Sequence, residues 1–327
     1  MDVISVDVGH SAVKFSSELG NDVLKLVIPT FVCPAFRLSD ENAQIKAERD
    51  TLIYQDKPYF VGETALIQGQ MKNPVGRFDN WINSHEYAVL MLAALGQLAR
   101  RGVNTTNCVL VLGLPSSIFA RQKEQLKVLA NTLVQTKHTI VMPQSVGPYQ
   151  LLMLDESGFP VPKRNAASEI WGVVDVGYFT TDFLLVREGQ IIEDTLGSCA
   201  GMFKAAEHLV RTQSTRGFSV DIQEAESMLI SRSLKNFGER IDVGADVDQA
   251  LSKIVAEVLD TMDRLLSAYA RKLDGLVLAG GGAKLLCPFL QKEYPMTILP
   301  ENPRFAVVEG MRRFGLAFRR LKAHEPA

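Results

Sequence analysis

Cysteine, tryptophan and any excess of charge of one sign are scarce in this sequence. Four cysteines and two tryptophans occur in 327 residues. Cys33, Cys108, Cys199 and Cys287 are widely spaced and form no CxxC pair. That excludes a disulfide scaffold and a zinc ribbon, and leaves four reduced, small apolar side chains. The five histidines, His10, His85, His138, His208 and His324, show no metal-ligand spacing. Lys plus Arg number 35 and Asp plus Glu 37, a formal net charge of -2. With no concentrated basic excess, direct nucleic-acid binding by an isolated molecule is not expected. The longest apolar run, Ala88 to Leu95, is far short of the roughly 20 residues that cross a bilayer. Residues Met1 to Asp7 lack the basic-then-apolar order of a signal peptide. A cytoplasmic location is expected, and a membrane is not an expected partner. What the chain does have is 46% apolar residues, over a length that suits about two domains.

Along the chain, residues 2–8 alternate and are rich in β-branched side chains, Gly9-His10-Ser11 interrupts them, and 12–17 resume. Gly20-Asn21-Asp22 makes a further turn into 23–28, so the chain opens as a meander. Residues 30–80 read as mixed, with short strands at 52–54 and 59–61. A helix at 84–102 ends in Arg100-Arg101-Gly102, a basic last turn followed by glycine. A buried strand (108–112), a helix (117–135), a strand (139–141) and a helix (144–154) follow. The loop Asp155 to Ser168, rich in Pro, Gly and charge, marks a crossover. The opening pattern then recurs: Trp171 to Gly177 ends in Asp-Val-Gly as residues 6–9 do, and strands are expected at 181–187 and 190–195. A repeat at this distance predicts two similar domains. Helices are expected at 200–213, 221–233, 246–272 and 304–322, with a strand at 276–279.

Three segments carry chemistry. In Asp7-Val8-Gly9-His10-Ser11-Ala12-Val13-Lys14, glycine lets backbone N–H groups approach phosphate oxygens. Ser11 adds a hydroxyl, Lys14 a cation, and Asp7 a carboxylate able to hold magnesium through water. His10 lacks an acid partner and reads as a turn residue. By itself an Asp-x-Gly hairpin is an ordinary turn. Its recurrence as Asp175-Val176-Gly177-Tyr178-Phe179-Thr180-Thr181-Asp182 predicts two loops that clamp a polyphosphate. In the third, a buried strand runs into Gly280-Gly281-Gly282 and a helix, an arrangement that accepts a nucleoside and an anion.

In this order the three segments resemble the superfamily of actin, sugar kinases and heat-shock chaperone ATPases. Within it the chain looks most like the ParM/StbA plasmid-segregation group. The shared features are the short first hairpin, Phe60-Val61-Gly62-Glu63, Leu112-Gly113-Leu114-Pro115 and Val141-Met142-Pro143-Gln144-Ser145. The resemblance implies an α/β fold of duplicated actin-like (ribonuclease H-like) domains, 1–148 plus 304–327 and 149–303, each a mixed five-stranded sheet flanked by helices, with a nucleotide cleft between them. It implies that Asp7 and Asp175 organise Mg2+ and its waters. Gly9, His10, Ser11, Lys14, Gly177, Thr180, Thr181 and Asp182 would line the phosphates, and Gly280, Gly281 and Gly282 the adenosine. Glu224 and Ser227 would border the base. Gln144 stands where the family positions its attacking water; an amide orients water but is a poor base, so hydrolysis is expected to be slow. ATP is the implied nucleotide, with GTP left open.

The implied function is a filament of head-to-tail subunits that moves plasmid DNA through a DNA-bound adaptor. Two alternatives stay open: a non-polymerising ATP switch or membrane-associated actin homologue, and a small-molecule kinase, for which no substrate-side catalytic acid is visible. The C-terminal stripe Met311, Phe314, Phe318 and Leu321, beside Arg312, Arg313, Arg319, Arg320 and Lys322, is expected to pack on its own domain with a solvated basic face.

Overall fold

A computed structural model describes residues 1–69 and 80–323 of the protein; His324 lies outside them. Contacts divide the chain into two units, residues 1–162 with 307–327, and 163–306.

The first unit opens with β1 (Val3–Val8), β2 (Ala12–Leu19) and β3 (Asp22–Pro29). Then come β4 (Val32–Pro34), α1 (Glu41–Arg49), β5 (Thr51–Tyr54), β6 (Lys57–Val61) and α2 (Glu63–Gln68). It continues through α3 (His85–Ala99), β7 (Val109–Leu114), α4 (Ser116–Leu133), β8 (His138–Pro143) and α5 (Val146–Met153). The main sheet runs β3-β2-β1-β7-β8, antiparallel among the first three strands and parallel among the rest. Strand β1 is buried along its whole length. Ile4, Val6 and Val8 enter the core shared with α3. Val3 and Ser5 face the opposite layer, where the Ser5 hydroxyl donates to the Val308 carbonyl at 2.7 Å. A buried hydroxyl is tolerated there because it is bonded.

The second unit holds β9 (Ile170–Val176), β10 (Thr180–Arg187), β11 (Gln190–Ile191), β12 (Gly197–Ala200), α6 (Met202–Thr215) and α7 (Ile222–Ser231). It ends with β13 (Ser233–Asn236), β14 (Glu239–Asp242), α8 (Gly244–Leu266), β15 (Gly275–Ala279), α9 (Ala283–Glu293) and β16 (Thr297–Ile298). Its sheet path, β11-β10-β9-β15-β16, has the same order and directions as the first, with β12 added beside β10. The repeated strand-acid-glycine pattern is thus a repeated topology. Helix α10 (Ala306–Ala323) brings the chain back to the first unit.

Three regions differ from expectation. Helix α1 falls in the segment read as mixed; it buries only Ala47, so it has little apolar periodicity, and Asp40 caps it by accepting from the Ala43 N–H at 2.7 Å. The extension expected at 190–195 is a two-residue strand followed by a single turn at Glu193–Thr195. The hairpin β13–β14 occupies a stretch with no expected element, because its turn, Phe237-Gly238, is not a usual hairpin pair.

Helix α10 also differs: its arginines are not a solvated face. Arg312 is 1% exposed and donates to both oxygens of Glu309, at 2.7 and 3.1 Å, and to the Glu156 carbonyl at 3.0 Å. Arg313 donates to the Leu151 and Leu154 carbonyls at 3.0 and 2.7 Å, capping the open end of α5. Arg320 binds the Ser157 and Gly158 carbonyls and stacks over the Phe159 ring, 3.6 Å from its centre. The guanidinium groups therefore hold the loop after α5. Burial works against the charge of Glu309, but Arg312, Lys25 and Arg313 outweigh it and keep its carboxyl below the usual range. Among the described residues no helix is long and apolar enough to cross a membrane.

Candidate functional site

The first loop is built at the tip of the β1–β2 hairpin. Asp7 sits directly across from Lys14, so both side chains share one face of the sheet. They form an ion pair of 2.8 Å. Asp7 is 2% exposed, and its second oxygen accepts a short hydrogen bond from the Gln144 amide. Gln144 precedes α5 and reaches Asp7 past Gly113, where a Cβ would lie 2.9 Å from the Gln144 Cγ. Asp7 and Lys14, seven residues apart in one hairpin, and the distant Gln144 thus form one contact group. Gly9 is required by space: a Cβ there would meet the Ala12 carbonyl oxygen at 2.9 Å. Ser11 is exposed at the tip. His10 stacks near Trp81 with ring centres 6.1 Å apart.

Thr30 was not legible as a member of this group. Its buried hydroxyl donates to the Gly9 carbonyl at 2.6 Å, and its N–H donates to the Ser11 carbonyl at 3.1 Å. With two carbonyls tied down, the loop is held from behind. No local pattern links residues so far apart.

The β9–β10 hairpin repeats the first with one change. Asp175 lies directly across from Asp182, so the position of Lys14 is taken by an acid. Asp175 is 8% exposed and Asp182 5%. The Thr180 hydroxyl donates to one oxygen of Asp182 at 2.9 Å, while the other buried oxygen has no hydrogen-bond partner. Burial, and then the charge of Asp175, push the Asp182 carboxyl up to about 7. Gly177 again leaves no room, since a Cβ would meet the Thr180 carbonyl at 2.7 Å. The start of α6 clamps the loop: the N–H groups of Gly201, Met202 and Phe203 donate to the carbonyls of Phe179, Gly177 and Tyr178 at 2.9, 3.2 and 2.8 Å. Tyr178 also donates its hydroxyl to Glu226 on α7, another contact without a sequence signal.

Thr181 is not part of this face. Strand alternation turns it the other way, it is fully buried, and its hydroxyl donates to the Ala200 carbonyl at 3.1 Å. Glu224 and Ser227 serve α7 itself. Asp221 and Glu224 form a capping box, and the Ser227 hydroxyl bonds back to the Gln223 carbonyl at 3.0 Å.

The glycine segment joins the second loop. Gly280 has φ +93°, and a Cβ on it would lie 2.6 Å from a carboxylate oxygen of Asp175. The Gly282 N–H donates to the Val176 carbonyl at 3.1 Å, and Gly281 has open space where a side chain would stand. Helix α9 starts at Ala283 with no side-chain cap. The second unit therefore gathers two acids, a backbone free of side chains and a helix N-terminus, a donor set suited to a cation and a phosphorylated ligand. Burial first of all pushes the Cys108 and Cys199 thiols up to about 11, so they stay neutral. No group of three or more metal-ligating side chains occurs among the described residues.

Fold and loops together define an actin-like protein. Residues 5–149 match the family of N-terminal domains of actin-like proteins, and residues 173–292 match the C-terminal domain of the archaeal actin homologue MreB-like family. The chain belongs to the actin-like superfamily, and its fold is that of ParM. A 15-stranded ParM filament from Clostridium botulinum superposes with a TM-score of 0.78 at 22% identity, covering 97% of this chain and 99% of that one. A non-polymerisable quadruple mutant of pCBH ParM gives 0.77 at 22% identity, with coverage of 97% and 99%. The archaeal actin homologue Ta0583 in complex with ADP gives 0.74 at 19% identity, with coverage of 98% and 100%. No curated protein matches by sequence.

Proposed function

We propose that the protein binds and slowly hydrolyses Mg-ATP and assembles head to tail into dynamic filaments that move plasmid DNA through a DNA-bound adaptor. The observation that carries this reading is the paired hairpins, with Asp7 facing Lys14 in one and Asp175 facing Asp182 in the other. The first is charge-compensated within itself. The second holds two buried acids and an unpaired oxygen, an arrangement that a divalent cation would satisfy.

In this reading Ser11, Lys14 and Thr180, with the N–H groups of both loops, hold the phosphates. Asp7 and Asp175 would hold a magnesium ion, and Gly280, Gly281 and Gly282 would line the adenosine. Bound there, the ion supplies charge neutralisation on the phosphates. Gln144 spends its amide N–H on Asp7 and keeps its carbonyl oxygen to accept from a water, which it can orient but not deprotonate. Thr181 has a packing role. The γ-phosphate held by these loops favours the ATP-loaded arrangement, and hydrolysis removes its contacts. The filaments recorded for ParM support assembly as the output.

The test is high-speed sedimentation with Mg-ATP, Mg-GTP, Mg-ADP and no nucleotide, with electron microscopy of the pellets. Filaments in ATP that vanish in ADP and in Asp175→Ala are expected. A protein that hydrolyses ATP and never pellets would refute the filament; co-sedimentation of plasmid DNA only with a partner protein would identify the adaptor.

A further inference from the structure

Glu226 is a charged side chain that packing does not explain. It lies on α7, partly buried, and among the described residues its hydrogen-bond donor is the Tyr178 hydroxyl. No lysine or arginine there pairs with it, and burial pushes its carboxyl above the usual range. A carboxylate drawn out of water without a cation lowers stability. A glutamine would accept the same bond without that cost, so stability alone does not select an acid here.

The partner of Glu226 stands at the tip of the β9–β10 hairpin, where Tyr178 and Phe179 make the turn between Gly177 and Thr180. Both rings meet Phe203 of α6: the centres lie 4.7 Å apart for Tyr178 and Phe179, 5.4 Å for Tyr178 and Phe203, and 5.0 Å for Phe179 and Phe203. Behind the turn, N–H groups at the start of α6 take the carbonyls of Gly177, Tyr178 and Phe179. Gly201 permits this approach, since a Cβ on it would lie 2.5 Å from the Tyr178 carbonyl oxygen. A trans peptide sets each carbonyl opposite the N–H of the next residue. Three carbonyls turned towards α6 therefore turn the N–H groups of Tyr178, Phe179 and Thr180 the other way, as a row of donors suited to a phosphate. The loop is tied to α6 through its backbone and to α7 through the Tyr178 hydroxyl.

We infer that Glu226 is a positioning residue for nucleotide binding: its carboxylate holds the Tyr178 hydroxyl, and through that side chain keeps the N–H groups of residues 178–180 directed at the phosphates. The inference rests on the nucleotide reading above and extends it to a residue that touches no ligand. An acid suits the task because a hydrogen bond to a charged acceptor is about twice as strong as one to a neutral acceptor. Loop conformers that turn an N–H away do not bind, so affinity falls with the fraction of molecules that keep the competent loop.

The experiment measures Mg-ADP binding to the full chain by titration calorimetry, beside thermal melts without nucleotide. Tyr178→Phe keeps the ring contacts and removes the hydroxyl, and its Kd should rise about tenfold. Glu226→Gln keeps a neutral acceptor, so its Kd should rise about threefold, while its melting temperature holds or rises because the buried charge is gone. The double variant should match Tyr178→Phe at about tenfold, since both changes act on one bond. A wild-type Kd in Tyr178→Phe overturns the inference and leaves the nucleotide reading standing. So does a loss of about thirtyfold in the double variant, which would make the two residues independent. A Glu226→Gln protein whose melting temperature and affinity fall together also overturns it, by giving Glu226 a structural role only. A wild-type protein that binds no Mg-ADP sinks the nucleotide reading and this inference with it.

Discussion

Asp182→Asn tests the electrostatics of the second hairpin. In the nucleotide-free protein the Asp182 carboxyl is pushed from an ordinary 3.8 up to about 7 by burial and by Asp175. The folded chain therefore holds this proton more tightly than the unfolded chain. Stability from this group is fully present below about pH 4 and is lost as pH rises through about 7. At about 1.4 kcal/mol per pH unit the whole loss is about 4 kcal/mol, of which about 3 kcal/mol falls between pH 5 and 8. Asparagine cannot ionise, its amide oxygen can still accept from Thr180, and its NH2 can donate towards Asp175. The variant should thus escape the loss. At about 2–4 °C per kcal/mol, its melting temperature should gain about 6–12 °C on wild type between pH 5 and 8. Thermal melts of both proteins without nucleotide or divalent cation, at half-unit pH steps, read this directly. Parallel curves for the two proteins across pH 5 to 8 would refute the assignment.

Glu309→Gln should cost about 3–5 kcal/mol in a urea titration, because it leaves the Arg312 guanidinium buried without its anion. Gly280→Ala should cost about 2–4 kcal/mol and weaken nucleotide binding, since the Cβ meets a left-handed backbone and the Asp175 carboxylate. Gly281→Ala, with open space around it, should stay within about 0.5 kcal/mol of wild type; equal effects at the two glycines in calorimetry would contradict the geometry. Gln144→Ala should lower the ATPase kcat by about tenfold to a hundredfold with nucleotide affinity nearly unchanged, and a matching loss of affinity would assign Gln144 to binding instead.

Much of this protein was readable from local sequence. The turns Gly9-His10-Ser11 and Gly20-Asn21-Asp22 delimit β1 to β3, and the second Asp-Val-Gly announces that the sheet is built twice. Hairpin register follows from the seven-residue spacing of Asp7 to Lys14 and of Asp175 to Asp182, so both facing pairs are implicit in the chain. Period-2 alternation and turn chemistry act over a few residues, and so leave a local trace. Tertiary structure alone decided the rest. Gln144 meets Asp7, Thr30 holds Gly9, and Tyr178 reaches Glu226 only after distant segments pack. It also decided which hydroxyl of Thr180-Thr181 faces the acids, and it turned a basic amphipathic stripe into a set of buried clamps. Charge on a helix face reads the same in sequence whether water or a carbonyl will accept its hydrogen bonds. The choice belongs to whatever the fold places opposite, and for Arg312, Arg313 and Arg320 that is the end of α5 and the loop beyond it.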